Sequence, residues 1–587
     1  MTRLLLLLSL VSAVFAQDAA AIWKTLLASD PDPKKTAAIK DVTIARDRLR
    51  LVLRQGAVQL ALPAGDVVFG ASFQGRGVIE VDPPFEAEKN HLRLLTGKET
   101  LAMEFTEAVF LFNDGAEREL SASWASGATA TPRLIAERLE NAEEQGNGIL
   151  PRLLRGVLSA DRKRTAFFLA LLRTRDKGWI QASHDSLDPE EISVGRWGSW
   201  ERHVGYDSWL SFPAGGRTVA QASQDPLARE DFLVRGYQID ATVTDSAELR
   251  ATTRVTLDFR ASGERVLVFD LDANLRLESV KLDGGAALPF FQPRDPRDRP
   301  ESGDYVAVVL PESAAAGKAL TLEFRYGGKR VIRKVGAGNY FCQSFGWYPT
   351  RPYSFAARAA FEMNFRSPKK YLLVATGSKT NDTVDGDQRF TSWKSDIPLA
   401  VAGFAFGDYK VHTEKAGNIE VEIYANREAD DTMAMMRQAT DSPMPSSPGG
   451  TRPPAAPVGS LSPAALAKTM GVEAANTLRL FENFFGPYPY KRLAVTNIPY
   501  SYGQGWPMLI YLSAVSFLDS TQRNAFGIRD HTQLTDFFRA HETSHQWWGH
   551  RVSWKTYHDQ WLSEGFAQFS GNLYVQYRRN ERSMSPG

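Results

Sequence analysis

Hydrophobic residues fall at every second position along much of the first half of the chain. Leu49, Leu51 and Leu53 alternate with polar or smaller neighbours, and Val58, Leu60 and Leu62 repeat the alternation after Gly56, which predicts a β-hairpin turning at that glycine. Runs of the same kind continue through Val67 to Phe73 and Thr100 to Phe112, so the N-terminal module reads as mostly β. From about Pro132 to Glu144 the period becomes helical, with proline in the first turn and Leu134, Ile135 and Leu139 on one face. A second β-rich region begins near Phe232. Its strand candidates are Tyr237, Ile239, Ala241 and Val243, then Val255, Leu257 and Phe259, then Val266 to Leu271, and their regular spacing suggests a sandwich.

The pattern breaks between Asp430 and Pro463, where PMPSSPGGTRPPAAPVGSLSP offers too little apolar surface to order itself and predicts a flexible insertion. Helical signals return from Leu466. At the start of the chain, Met1 to Ala16 has a basic Arg3, an apolar run from Leu4 to Leu10 and small residues leading to Ala16, the form of a cleaved export signal. Its apolar run is shorter than the roughly 20 residues that a spanning helix needs, and no other segment is long enough. An exported protein, secreted or periplasmic, with no spanning segment after signal cleavage is therefore expected.

Charge narrows the function classes. The 69 basic and 68 acidic residues nearly cancel, and no basic stripe appears beyond short clusters such as Arg162-Lys163-Arg164, which argues against nucleic acid as a partner. Cys342 is the only cysteine, so no intrachain disulfide can form, and a buried small hydrophobe is the expected role.

The chemistry concentrates near residue 541. His541-Glu542-Thr543-Ser544-His545 is followed, after eighteen intervening residues, by Glu564. Residues four apart share one face of a helix, so the imidazoles of His541 and His545 can converge on one tetrahedral metal, with Glu564 as third ligand. Glu542 points about a quarter-turn away, where its carboxylate can take a proton from a water that the metal has acidified. Zinc, one ion per chain, is the expected cofactor. His550 and His558 lack ligand spacing to the pair and read as structural or surface groups, with a supporting role to the ligands left open. Trp547, Trp548, Trp554 and Trp561 would line a pocket or pack around the metal helix, and packing is the favoured expectation.

The strings HETSHQWWG (His541 to Gly549) and DQWLSEGFA (Asp559 to Ala567) resemble the HExxHxWWG and DxWLNEGFA blocks of the aminopeptidase N-like zinc metallopeptidases, the gluzincins. The resemblance implies His541, His545 and Glu564 as ligands and Glu542 as general base. More loosely, FENFFGPYPYKRL (Phe481 to Leu493) is similar to a segment at the start of that family's thermolysin-like domain. Phe390 to Trp393 and Pro398 to Val411 resemble the closing strands of its first β domain, and Gly338 to Tyr348 falls at an aromatic, cysteine-containing block.

Two departures stand beside these matches. The family's GAMEN-type strand carries a glutamate that holds a substrate's free amino terminus, whereas the stretch Gly503-Gln504-Gly505-Trp506-Pro507-Met508 has no carboxylate. With Gly505 at the glutamate position, the ion pair that selects chain ends is missing. Gly503, Gln504 and Gly505 could still pair through their backbone with an extended peptide, or form a plain glycine-rich turn. The family also places an oxyanion-stabilising tyrosine far beyond the zinc glutamate, whereas this chain ends 23 residues after Glu564, so a C-terminally truncated form is expected. Tyr574 and Tyr577 are tyrosines in reach by default and are expected to pack or to face solvent.

The expected fold is a multidomain α+β protein. It comprises a signal peptide (1–16), an N-terminal β-rich module with a helical segment (17–225), a β-sandwich (226–428), the Pro/Ser/Gly-rich insertion (429–465) and an incomplete, mainly α-helical thermolysin-like zinc domain (466–587). The expected activity is zinc-dependent hydrolysis of peptide bonds in a peptide or protein substrate through a metal-activated water, aminopeptidase-like by the resemblance, with the choice between chain-end and internal cleavage left open. The alternatives are an epoxide or ester hydrolase on the same scaffold, or a catalytically impaired exported binding protein.

Overall fold

The computed structural model describes residues 18–120, 134–144, 148–200, 203–222, 229–292, 303–335, 338–351, 357–427, 463–498, 503–517, 532–554 and 556–584. The predicted signal segment, the Pro132 start of the predicted helix and the predicted insertion up to residue 462 lie outside those residues.

The first module is an eight-stranded antiparallel meander in sequence order, from Pro31–Arg46 to His203–Phe212. Its inward alternation buries Leu51, Phe73, Phe105, Phe110 and Phe168 on one face. Helices at 18–28, Leu134–Glu144 and Ile149–Leu158 cover the other, where Ile149, Leu150, Leu153, Leu154 and Val157 form the apolar stripe of the last helix.

The hairpin predicted at Gly56 is not there. Leu49–Ala61 is one strand running through the glycine, with a register irregularity between Leu53 and Gln55. An inserted residue resets the in-out parity just as a turn does, which is why buried positions pass from Leu49, Leu51 and Leu53 to Val58 and Leu60. Gly56 serves a close strand crossing instead. A Cβ there would lie 2.2 Å from the Gln74 carbonyl oxygen, and one on Gly75 (φ +155°) would lie 2.1 Å from that of Gln55.

The second module is a sandwich. An eight-stranded sheet built around Phe232–Val243 and Leu249–Phe259 faces a three-stranded sheet (Val266–Asp272, Gly303–Val309, Phe290–Phe291) and a four-stranded sheet (Ile332–Val335, Asn339–Cys342, Phe404–Gly407, Leu372–Ala375). Phe269 meets Phe324 and Phe365 meets Phe404 across the layers, with centroids 5.0 and 4.9 Å apart. The aromatic block around residue 340 packs here: Tyr340, Phe341, Cys342, Trp347 and Tyr348 are all buried, and the Trp347 indole N–H donates to the Ala402 carbonyl at 2.7 Å.

The third unit is a five-stranded mixed sheet flanked by helices. Its strand order is Tyr409–Ala416, Ile419–Asn426, Arg492–Ile498, Leu509–Ser513, Gln504–Trp506. The hairpin over 409–426 therefore belongs with the helical domain, and the sandwich ends before the expected 428. Alternation alone cannot tell which sheet a strand will join, and the parallel pairing of Ile419–Asn426 with Arg492–Ile498 decides it. Helices Ala467–Phe485, Thr532–Ser544 and Trp561–Met584 pack against one another and the sheet. Arg492 ties this unit to the sandwich through the Gly377 and Ala375 carbonyls (2.8 and 2.6 Å) while its guanidinium lies over the Trp393 ring. Among the described residues no helix is long and apolar enough to cross a membrane.

Candidate metal centre

The motif helix Thr532–Ser544 presents His541 and Glu542, and His545 follows with its N–H still bonded to the His541 carbonyl at 3.3 Å. The helix is anchored on its inner side by Ala540, Thr543 and Ser544, all fully buried, and by Arg539, which reaches Glu473 of helix Ala467–Phe485 at 3.4 Å and faces the Tyr574 ring. The chain then turns sharply, with Gly549 at φ +102°, a conformation that a side chain would strain.

The two imidazole Nε2 atoms are 3.2 Å apart. Glu564, in the first turn of helix Trp561–Met584, brings Oε2 to 3.3 Å from His541 Nε2 and Oε1 to 3.5 Å from His545 Nε2. Donors held about 2.0–2.1 Å from one tetrahedral zinc lie about 3.3–3.4 Å from each other, so the imidazole pair, and the Glu564 oxygen nearest each ring, are spaced for a single ion. Among the described residues this is the one such group of three donors. Protonation states agree with ligation. Burial holds the His545 imidazole below its usual range, hence neutral, and the hydrogen bond with His541 holds the Glu564 carboxyl low, hence ionised. His545 Nδ1 points to the Trp548 carbonyl at 3.0 Å, which turns Nε2 toward the centre.

Glu542 is buried on the same helix, and that burial, with the Glu564 charge second, pushes its carboxyl up to about 8. A divalent cation at the triad works against that shift by favouring the carboxylate.

The sheet brings the glycine-rich stretch against this carboxylate. A Cβ on Gly503 would lie 2.4 Å from Glu542 Oε1, and one on Gly505 would lie 3.0 Å from His545 Cβ, so only glycine fits at this separation. Gln504–Trp506 is the sheet's edge strand, bonded only to Leu509–Ser513 among the described residues. Gln504 donates through Nε2 to the Gln343 carbonyl at 3.2 Å, and its Oε1 is buried without a protein partner.

Two residues that hold this strand were not singled out by spacing. Gln546 accepts the Met508 N–H and donates to the Trp506 carbonyl, both at 2.8 Å, bracing a turn in which Met508 has φ +65°. His550, expected as a structural or surface group, is buried and donates through Nε2 to the Gly505 carbonyl at 2.9 Å. Burial presses its pKa to about 3, so it stays a neutral donor. The position of Gln546 directly after His545 was the available signal, but a buried amide has no periodicity to mark it. His558 lies away from the triad, at the first module.

The tryptophans divide. Trp547 packs edge-on against Phe481 and Tyr488, which gives the Phe481 to Leu493 block a packing role, and Trp548 stacks on Phe566. Trp561 departs from expectation: it is 66% exposed. Tyr574 is buried and donates to Glu473 at 3.0 Å, and Tyr577 is exposed.

The profile of the peptidase family M1 domain matches residues 471–585. Endoplasmic reticulum aminopeptidase 1 of Homo sapiens is 31% identical over 100 residues, which are 16% of this chain and 10% of that protein. Glutamyl aminopeptidase of Bos taurus is 31% identical over 109 residues, 18% of this chain and 11% of that protein. Among solved structures, an M1 zinc metallopeptidase from Deinococcus radiodurans aligns with a TM-score of 0.43 and 20% identity, over 60% of this chain and 72% of that one. The matched stretch thus spans about a tenth of the length of these curated relatives. Residues 471–585 thus match the peptidase family M1 domain and resemble aminopeptidases, and the two imidazoles, both glutamates and the glycine-rich edge strand all lie within the matched stretch.

Proposed function

We propose that the chain is a zinc-dependent peptidase, with His541, His545 and Glu564 holding the ion and Glu542 acting as general base. The observation that carries this reading is the set of donor separations at the triad, 3.2, 3.3 and 3.5 Å, with a buried carboxylate one residue from the first ligand. Zinc bound there supplies Lewis acidity, which acidifies a water and polarises a scissile carbonyl. Glu542 takes the water's proton and returns it to the leaving amine. Among the described residues Gln504–Trp506 pairs on one side only; Gln546 and His550, which occupy its Trp506 and Gly505 carbonyls, keep that strand at a fixed distance from Glu542, and an extended peptide would meet the backbone groups they leave unoccupied.

Glu542→Gln is expected to keep stoichiometric zinc and to lower kcat by about 10²–10⁴-fold, the worth of a positioned base. Zinc retained with undiminished turnover would remove Glu542 from the reaction.

The edge strand carries a neutral Gln504 and no carboxylate, which supports a peptidase that does not require a free amino terminus. Amino-blocked and free peptides of one sequence are then cleaved at similar kcat/KM, and strong loss on blocking would restore an aminopeptidase. Export, to the cell exterior or periplasm, is proposed on the Met1 to Ala16 pattern.

A further inference from the structure

A second cluster of buried charge joins parts of the chain that are far apart in sequence. His558, in the short turn Tyr557–Asp559, reaches into the first module and meets two buried carboxylates. Its Nδ1 is 2.8 Å from Glu190 Oε1 and its Nε2 is 2.5 Å from Glu88 Oε1. The other oxygens of the two acids converge on Ser211: Glu88 Oε2 accepts its N–H at 3.1 Å and Glu190 Oε2 its hydroxyl at 2.6 Å. The helix Glu86–Thr96 and the segment between strands Gly178–Asp185 and Ile192–Trp200 thus build a socket with two acids side by side. Both ring nitrogens face an acceptor, so the imidazole donates twice and is a cation; Glu190 first and Glu88 second push its pKa up to about 10.

This ring stands at the head of the helix that carries Glu564. The Asp559 N–H bonds the Thr556 carbonyl at 3.1 Å, the Ser563 N–H bonds that of Gln560 at 3.3 Å, and Glu564 comes next. At that end of the helix Ser563 lies close against the Gly549 turn, but the flanking side chains stand out. Trp561 is 66% exposed and the Glu564 side chain 70%. Firm attachment begins downstream, where Phe566 stacks on Trp548, Ala567 and Ser570 are fully buried, and Tyr574 and Arg578 reach Glu473.

We propose that His558 is a positioning residue of the metal centre: through Glu88 and Glu190 the N-terminal module fixes the start of this helix, so that Glu564 meets the two imidazoles. The inference rests on the zinc reading and adds a role for the first module, which touches none of the three ligands through this socket. An ion's affinity depends on how narrowly its donors are held, and an exposed carboxylate near a helix start depends on what holds the backbone before it.

The test uses the full chain. His558→Ala and the double variant Glu88→Gln with Glu190→Gln are compared with the unaltered protein for zinc affinity, by competition with a chromogenic chelator, and for hydrogen exchange over residues 556–565. Each variant is expected to bind zinc about ten-fold more weakly or worse, with faster exchange in that segment. Faster exchange with unchanged zinc affinity would overturn the proposal and leave the socket a fastener between modules. Should His558→Ala lose its cooperative melting transition, the isosteric Glu190→Gln alone gives the same comparison. An unaltered protein that binds no zinc would remove the zinc reading and this inference together, whereas equal affinity in protein and variants removes the inference alone.

Discussion

His545 and His558 are the same side chain in opposite electrical states, thirteen positions apart. Around His545 the chain supplies burial, a second imidazole and a single backbone acceptor, so the ring is kept neutral and its lone pair is free for a metal. Around His558 two carboxylates accept from both nitrogens, so the ring is kept charged and no lone pair remains. The surroundings assign one imidazole to coordination and the other to fastening, and residue type decides neither. One centre lies within a single domain, and the other bridges that domain and the first module.

Removing each ring in turn gives the sharpest contrast. His545→Ala should abolish stoichiometric zinc, read by metal analysis after gel filtration, whereas His558→Ala should retain zinc at reduced affinity. Equal loss from both would erase the distinction.

Gln546 sits beside His545 in sequence but braces the edge strand. Gln546→Ala leaves the Met508 N–H buried without its partner, takes a donor from the Trp506 carbonyl, and is expected to cost about 1–3 kcal/mol in denaturant unfolding. A cost near zero would mean that this frame relaxes freely.

The smallest effect is on pH. His558 has a folded-state pKa raised to about 10, so the stability it contributes is fully present below about 6.5, the ordinary imidazole value, and is lost as pH rises through about 10. Glu88 and Glu190 face the ring from the first module, and Asp559 follows it on its own turn. Hydrogen exchange over 556–565 should therefore quicken on the alkaline side, and the double variant Glu88→Gln with Glu190→Gln should flatten that dependence. A slope that survives in the variant would have another source.

The metal centre was legible because its signal is local. Four-residue spacing on a helix puts His541 and His545 on one face wherever the helix sits, and Glu564 came with a block of recognisable neighbours. Gly503 and Gly505 were marked as places of close approach, and they lie against Glu542 and His545. What could not be read depends on pairing at a distance. Glu88 lies 470 residues before His558, and nothing near either residue announces the other. The turn expected at Gly56 failed for a related reason: a hairpin and a bulge leave the same parity change, and only the neighbouring strand tells them apart. The sheet membership of Tyr409–Asn426 likewise rests on its pairing with Arg492–Ile498.

Glu564, standing mostly in solvent while both imidazoles are recessed, makes the centre lopsided. An ion seated there would leave by the carboxylate side, where chelators and competing cations also arrive. Its residence time would then be governed less by the depth of the nest than by how often one helical turn frays.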